Sequence, residues 1–342
     1  MMRSDGARLR TRAIQAMQAD PEIGQNIGKE RFLHVAGVPA GSGLEIVDSW
    51  LRALLYATVG DPALERSDWG TEVDRFLDVL SVRDGMAPCT VRAALVGVTL
   101  ADGGFDLGDA IVRPAVDTDF HVPIGGTAPT GVVFEYRTRL PASAGPVGFP
   151  FSDELVAEME TEHQKRMTRL LLSVALASEA PIQEQLVMKE IDFGGGGSGK
   201  APEDAGPIVA LPHFRLDAGL VERIRASYGA LAETDLSRIG VATRRYLMAR
   251  TERVRPADQI IDYAIALESM TSKRGGDNQG KELGRLLGED PAERKTAEAD
   301  HKRFRTARQA IVHDGAIPPD AALMAQVGRD LVRRSLRARS LT

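Results

Sequence analysis

The stretch "RPADQIIDYAIALESMTSK", residues 255–273, decides how this chain is read. Pro256 stands where a helix begins: its fixed φ suits the first turn, and its missing N–H goes unused there anyway. From that start Ile260, Ile261, Ala264, Ile265, Leu267 and Met270 recur at helical spacing and form one broad apolar arc. Glu268 falls inside the arc, between Ile261 and Ile265 in angle. A carboxylate among apolar neighbours is costly unless a cation or a hydrogen-bond donor meets it. The stretch therefore predicts a bundle helix whose core-facing acid needs a basic partner on another helix.

A second stretch, "AERKTAEADHKRFRTARQAIVHDG" (292–315), offers that partner. Phe304, Ala307, Ile311 and Val312 make its apolar face, and Arg308 lies among them, one turn from Phe304 and from Ile311. An Arg308–Glu268 ion pair between the two helices is the expectation. Five residues beyond Arg308 comes His313. On a regular helix roughly 140° would separate the two. Asp314-Gly315 mark a helix end, so the last turn is expected to depart from regularity there.

Outward from these two helices the pattern splits the chain. Beyond residue 216 only helical spacing is found, in 217–233, 236–251 and the closing 318–340. Upstream the spacing alternates: amphipathic helices at 43–60 and 71–82, two strands around a turn within 91–116, and a third strand at 131–141. A long helix at 152–178, a strand at 184–193 and a final strand-like run at 207–216 complete it. The fold class expected is α+β. Residues 1–215 form a mixed domain on a small, largely antiparallel sheet, and residues 216–342 an all-helical bundle.

The run "FGGGGSGKAP" (193–202) matches a phosphate-cradling loop at Gly194, Gly199 and Lys200. Such a loop needs a Ser or Thr after the Lys and a helix starting there. Ala201 and Pro202 supply neither, and the run reads as a flexible connection between strands, continuing as loop through "EDAGP". In "VDTDFHVP", Asp117, Asp119 and His121 would line one side of a strand and could hold a metal, or lie in an exposed loop. The favoured expectation is no metal and no cofactor. His34, His163, His213 and His301 have no neighbours in sequence that suggest chemistry. Cys89, the one cysteine, reads as a buried structural thiol; it excludes an intrachain disulfide and makes a reducing cytoplasm the expected compartment. No apolar run reaches the length of a membrane span.

Charge is uneven. Residues 238–342 carry 21 Lys and Arg against 14 Asp and Glu, whereas the chain as a whole is at −5. A basic C-terminal part joined to an acidic N-terminal part suits a polyanionic partner for the former, or Arg-rich solvated faces. Aromatic residues are only 5% of the chain, so base stacking is not expected to dominate recognition.

On "RPADQIIDYAIALESM" and the later "FRTARQAIVHDG", the chain resembles the ApeA-like branch of the HEPN superfamily, higher eukaryotes and prokaryotes nucleotide-binding domains. The matching residues are Ala266-Leu267-Glu268 on the earlier helix and the R-x-x-x-x-H of Arg308 and His313 on the later one. The resemblance covers about 216–342, and more faintly "ALVGVTLADGGFDLGDAIVRPAVDTD" upstream. Where such domains often carry a small polar residue directly after the Arg, this chain has Gln309, which can still donate and accept hydrogen bonds.

The resemblance implies metal-independent RNA cleavage by a two-fold dimer, with two Arg/His pairs facing one cleft. Arg308 would bind phosphate oxygens with its planar fork, and His313 would act as acid or base. Glu268 would hold Arg308 or orient His313, with Gln309 and Asp314 supporting them. Lys302, Arg303 and Arg305 are candidates for guiding the RNA backbone. It also implies a bacterial defence effector of the toxin or abortive-infection kind, its N-terminal domain serving as sensor or restraint for an unspecified phage trigger or antitoxin. The alternative is a non-catalytic HEPN module for dimerisation or nucleotide binding.

Overall fold

A computed structural model describes residues 2–21, 24–27, 32–35, 38–42, 44–48, 51, 76–77, 86–116, 119, 131–145, 153–192, 198–204, 213–271 and 276–340. The architecture is α+β, with an antiparallel sheet in the N-terminal half and a helical C-terminal part. Two compact units divide the chain, and each is discontinuous. The first comprises Met1–Ala94, Gly108–Gln164 and Glu184–Pro207, the second Leu95–Leu107, Lys165–Gln183 and Ile208–Thr342. The helical unit thus takes in Leu95–Leu107, Lys165–Gln183 and residues 208–215 from upstream of 216, where one cut between 215 and 216 was expected.

The chain opens with helix α1 (Met2–Ala19). The main sheet of the first unit runs β2-β1-β7-β3-β8-β9. Its strands are β1 (Phe32–Val35), β2 (Val38–Ser42), β3 (Met86–Val96), β7 (Val132–Gly145), β8 (Gln183–Asp192) and β9 (Ser198–Asp204). β3 buries residues of both faces, from Cys89 and Val91 to Ala93, Ala94 and Leu95, as a central strand should. Between β3 and β7 come β4 (Val98–Leu100), β5 (Phe105–Asp106) and β6 (Ile111–Pro114). The stretch 91–116 is therefore four strands where two were expected. Gly97, at φ 87, breaks β3 from β4 in a backbone region that glycine enters without steric cost. β4 then pairs in parallel with β10 (Phe214–Leu216), within the second unit.

β9 corrects a second expectation. "SGKAPED" is not loop but strand, paired antiparallel with β8 so that Lys200 sits opposite Glu190. Residues 193–197 lie outside the described residues, as does most of the expected helices at 43–60 and 71–82; of the latter, 44–48, 51 and 76–77 are described and helical.

The expected helix at 152–178 is α2 (Asp153–Ala177). In the second unit, α3 (Ala218–Ala232) starts on Asp217, whose carboxylate accepts the Leu220 amide at 2.8 Å. A 3₁₀ turn at Leu236–Ile239 leads into α4 (Gly240–Thr251), and α5 (Pro256–Met270) has Pro256 at its first position. α6 (Gly276–Leu287) is followed by α7 (Pro291–Asp314), capped by Asp290 onto the amides of Ala292 and Glu293, and by α8 (Ala321–Ser340). One core unites Tyr246, Ile260, Tyr263, Leu267, Met270, Leu283, Phe304, Leu331, Val332 and Leu336. Each such side chain contributes about 1.5–3 kcal/mol through burial. Arg250 ties the end of α2 to this core. Its Nη1 donates to the carbonyl of Ala175 at 2.7 Å, and Nη2 to those of Ser178 and Ala180 at 3.2 and 2.9 Å.

Helix α6 escaped the reading of apolar spacing because its glycines look like breakers. They serve close approach instead. A Cβ on Gly284 would come within 2.9 Å of Glu298 Cγ, and one on Gly280 within 3.1 Å of the His301 ring.

The strand at 198–204 generates a prediction. Neither the wild type nor Lys200→Ala is expected to bind Mg-ATP in isothermal titration, because the lysine stands inside a strand that continues to Asp204 and not at a helix N-terminus.

Candidate active site

α5 and α7 bring Glu268 and Arg308 together, with Arg308 Nη2 3.6 Å from Glu268 Oε1. Both line a cavity of ≈ 90 Å³ with Ala264, Leu267, Gln279, His301, Phe304, Arg305 and Gln309. The expected partnership is present, but its depth differs from expectation. The two side chains are 35% and 31% exposed, so the pair stands at the rim of the core. The phase of α5 explains this. Its buried side runs through Ile260, Tyr263, Ala266, Leu267 and Met270, leaving Ile261, Ile265 and Glu268 half-buried along one edge. On α7 the inward residues are Ala297, His301, Phe304 and Ala307; Ile311 is half-buried, and Val312, expected on the apolar face, is 46% exposed.

The deeply buried carboxylate of α5 is a different one. Asp262 is 2% exposed and accepts from Arg245 Nη1 and Arg253 Nε, both at 2.8 Å. Two guanidiniums on one buried carboxylate offset its desolvation where one alone leaves it under-satisfied. The spacing hides it because it lies nearly opposite the centre of the arc drawn through the aliphatic residues. Tyr263 beside it was the missed signal, since the aromatic ring moves the centre of the buried arc toward Asp262.

His313 is not brought to Arg308. α7 ends at Gly315, φ 64, where the end was expected, but it stays helical through Asp314, so the last turn carrying His313 does not depart from regularity. The amides of Gly315 and Ala316 both turn back to the Ala310 carbonyl, closing the helix. His313 and Asp314 are exposed, and His313 keeps the angular offset of a regular helix from Arg308. Among the proposed RNA-guiding residues, Arg305 is half-buried and lines the cavity. Lys302 and Arg303 are exposed, with Arg303 Nη1 3.8 Å from Asp300 Oδ1.

The structure adds His301 to the cavity. It is 4% exposed, and its Nε2 lies 3.1 Å from Gln279 Oε1. His301, Arg305 and Arg308 stand at i, i+4 and i+7, one stripe of α7. That spacing was the available signal. Of the other histidines, His163 is buried between Tyr136 Oη, 2.9 Å from its Nδ1, and Glu184 Oε1, 2.6 Å from its Nε2.

Asp119 of the first unit is engaged by arginines. It accepts from Arg113 Nη2 at 2.5 Å and Nη1 at 2.8 Å and from the Val116 amide at 2.7 Å, with Arg92 Nε 3.7 Å away. Glu135 accepts from Arg92 and Arg113 at 2.9 and 2.7 Å. The candidate partners Asp117 and His121 lie outside the described residues. Burial pushes both carboxyls up, but hydrogen bonds and charge from Arg113 and Arg92, with the Val116 amide for Asp119, outweigh it. Both are held below their ordinary values of 3.8 and 4.5.

Groups lowered on folding stabilise the folded state above their ordinary pKa and lose that contribution as pH falls through the folded value. Thermal melts are expected to be flat from about pH 7 to 5 and to decline below about pH 4. Asp119→Asn lowers the melting temperature at neutral pH and makes the acid decline shallower.

Compared with known proteins, no family model matches this chain, and neither a curated protein nor a solved structure matches it.

Proposed function

We propose that the helical unit is a metal-independent endoribonuclease acting through Arg308, His313 and Glu268. The observation that carries this reading is the meeting of Arg308 and Glu268, from the two helices that resemble HEPN helices, at a cavity open to solvent. In the reaction the RNA 2′-hydroxyl attacks the adjacent phosphorus and the P–O5′ bond breaks. A base takes the 2′-hydroxyl proton, an acid protonates the departing 5′-oxygen, and the products are a 2′,3′-cyclic phosphate and a 5′-hydroxyl. Arg308 stabilises charge on the phosphorane oxygens as it develops. Glu268 holds the guanidinium in orientation, and an imidazole serves as acid or base.

Within one chain His313 stands away from Arg308, so a two-fold dimer completes the site, bringing a second copy's helix end to the cleft. Support comes from exposed apolar residues close to His313 in the chain, Val312 at 46% and Ile317 at 68%. A cytoplasmic defence effector is the setting this activity suits. The second reading, a non-catalytic binding module, draws on the same separation of His313 from Arg308.

The test uses the purified full chain. RNA is expected to be cut in EDTA, and DNA, which lacks the attacking hydroxyl, left intact. Arg308→Ala and His313→Ala each lower the rate by about 100-fold or more without changing the melting curve. The double variant is no worse than the poorer single, since both act on one transition state. Cleavage that needs Mg²⁺, or survives His313→Ala, rejects this mechanism and favours the binding module.

A further inference from the structure

His301 is a buried imidazole in the wall of the cavity that holds Arg308 and Glu268, and the mechanism above does not use it. Its hydrogen bonds have a direction that can be worked out. Thr271 Oγ1 donates to the Leu267 carbonyl at 3.1 Å, and Gln279 Nε2 donates to Thr271 Oγ1 at 3.2 Å. The Gln279 amide is thereby oriented, and its Oε1, which can only accept, faces His301 Nε2 at 3.1 Å. His301 Nε2 therefore carries a hydrogen. The other ring nitrogen, Nδ1, lies against Gly280, where an added Cβ would stand 3.1 Å from it.

Both nitrogens are turned toward α6, which argues against an imidazole that exchanges protons with a substrate in the cavity. What the ring does is join helices. The chain His301–Gln279–Thr271–Leu267 links α7 to α6 and to the C-terminal end of α5, one turn from Glu268. Gln279 and Thr271 are 3% and 8% exposed, so the whole link is shielded from water, where hydrogen bonds hold geometry most strongly. Arg305 and Arg308 follow His301 on the same stripe of α7.

We propose that His301 is a positioning residue of the Arg308–Glu268 site: through Gln279 and Thr271 it sets the phase of α7 against α5, and with it the placement of Arg308. The inference rests on reading that site as the RNA-cleaving one. Orientation errors of about an ångström cost roughly 100-fold in rate, so loss of the link is felt in turnover before it is felt in binding.

The experiment compares the full-length wild type with His301→Leu, which removes the donor, and His301→Gln, which restores an N–H near the Nε2 position. Steady-state RNA cleavage, melting temperature and the ¹H–¹⁵N signal of Arg308 Nε–H are measured for each. For His301→Leu the expected result is kcat lowered at least about tenfold with KM nearly unchanged, and a shifted Arg308 signal. His301→Gln returns both toward wild type. Where His301→Leu does not fold, Gln279→Leu breaks the same link from the other helix.

The inference is overturned if His301→Leu leaves kcat and the Arg308 signal as in wild type. It is equally overturned if a folded His301→Gln is as inactive as the Leu variant, because the imidazole itself would then be needed for proton transfer. Should the wild type not cut RNA at all, the functional reading fails. The Arg308 signal then decides the positioning role alone.

Discussion

Much of the helical unit depends on how Phe304 seats against Gly328. A Cβ at position 328 would come within 2.3 Å of the Phe304 ring, so α8 has to be bare there for α7 to lie where it does. With that ring fixed inward and 1% exposed, the rotation of α7 about its axis is confined to a narrow range, within which finer contacts such as the His301 link act. His301 and Ala307 turn in with Phe304, Arg308 comes to the edge of the buried face, and Val312 and His313 turn out. The face of α7 on which the candidate residues stand follows first from this aromatic contact, before any electrostatic preference enters.

The two carboxylates of α5 illustrate two uses of an ion pair. Asp262 is enclosed, held by two arginines from α4 and the turn after it, and ties these elements together. Removing either arginine would leave charge in the core under-compensated, the costly side of a buried pair. Glu268 faces a single arginine at 3.6 Å with water reaching both, and pairs of that kind contribute about 0–1 kcal/mol. The fold has little stake in the second pair. The Arg308 guanidinium therefore stands at the cavity without the bundle depending on its pairing.

How much of this was legible in the sequence differs between the two halves. Pro256, the recurring apolar residues of α5 and α7, and Gly315 carried enough local information for the helices and for the Glu268–Arg308 pairing, since cap chemistry and 3.6-residue spacing act within a helix. Depth did not follow from spacing, because an apolar arc drawn through aliphatic residues omitted Tyr263 and so placed Glu268 too near its centre. Helix α6 was hidden because Gly280 and Gly284 signal a break locally and close helix packing globally. The division of 91–116 turned on two glycines at positive φ, Gly97 between β3 and β4 and Gly108 between β5 and β6, and "SGKAPED" became a strand through pairing with β8, a partner no local pattern names. His301 was readable only as part of a stripe with Arg305 and Arg308, once the inward face of α7 was known.

The guanidinium of Arg250 has a bearing on what counts as a module in this chain. Its three carbonyl acceptors lie between residues 175 and 180, some seventy positions earlier, yet they belong to the same compact unit as the bundle. A fragment beginning at 216 would contain every helix from α3 onward and still present Arg250, beside buried Tyr246, to an empty seat. The helical unit is not a cassette that can be lifted out by one cut or passed to another protein in one piece. During synthesis its early segments have to wait, unsatisfied, until the C-terminal helices have been made.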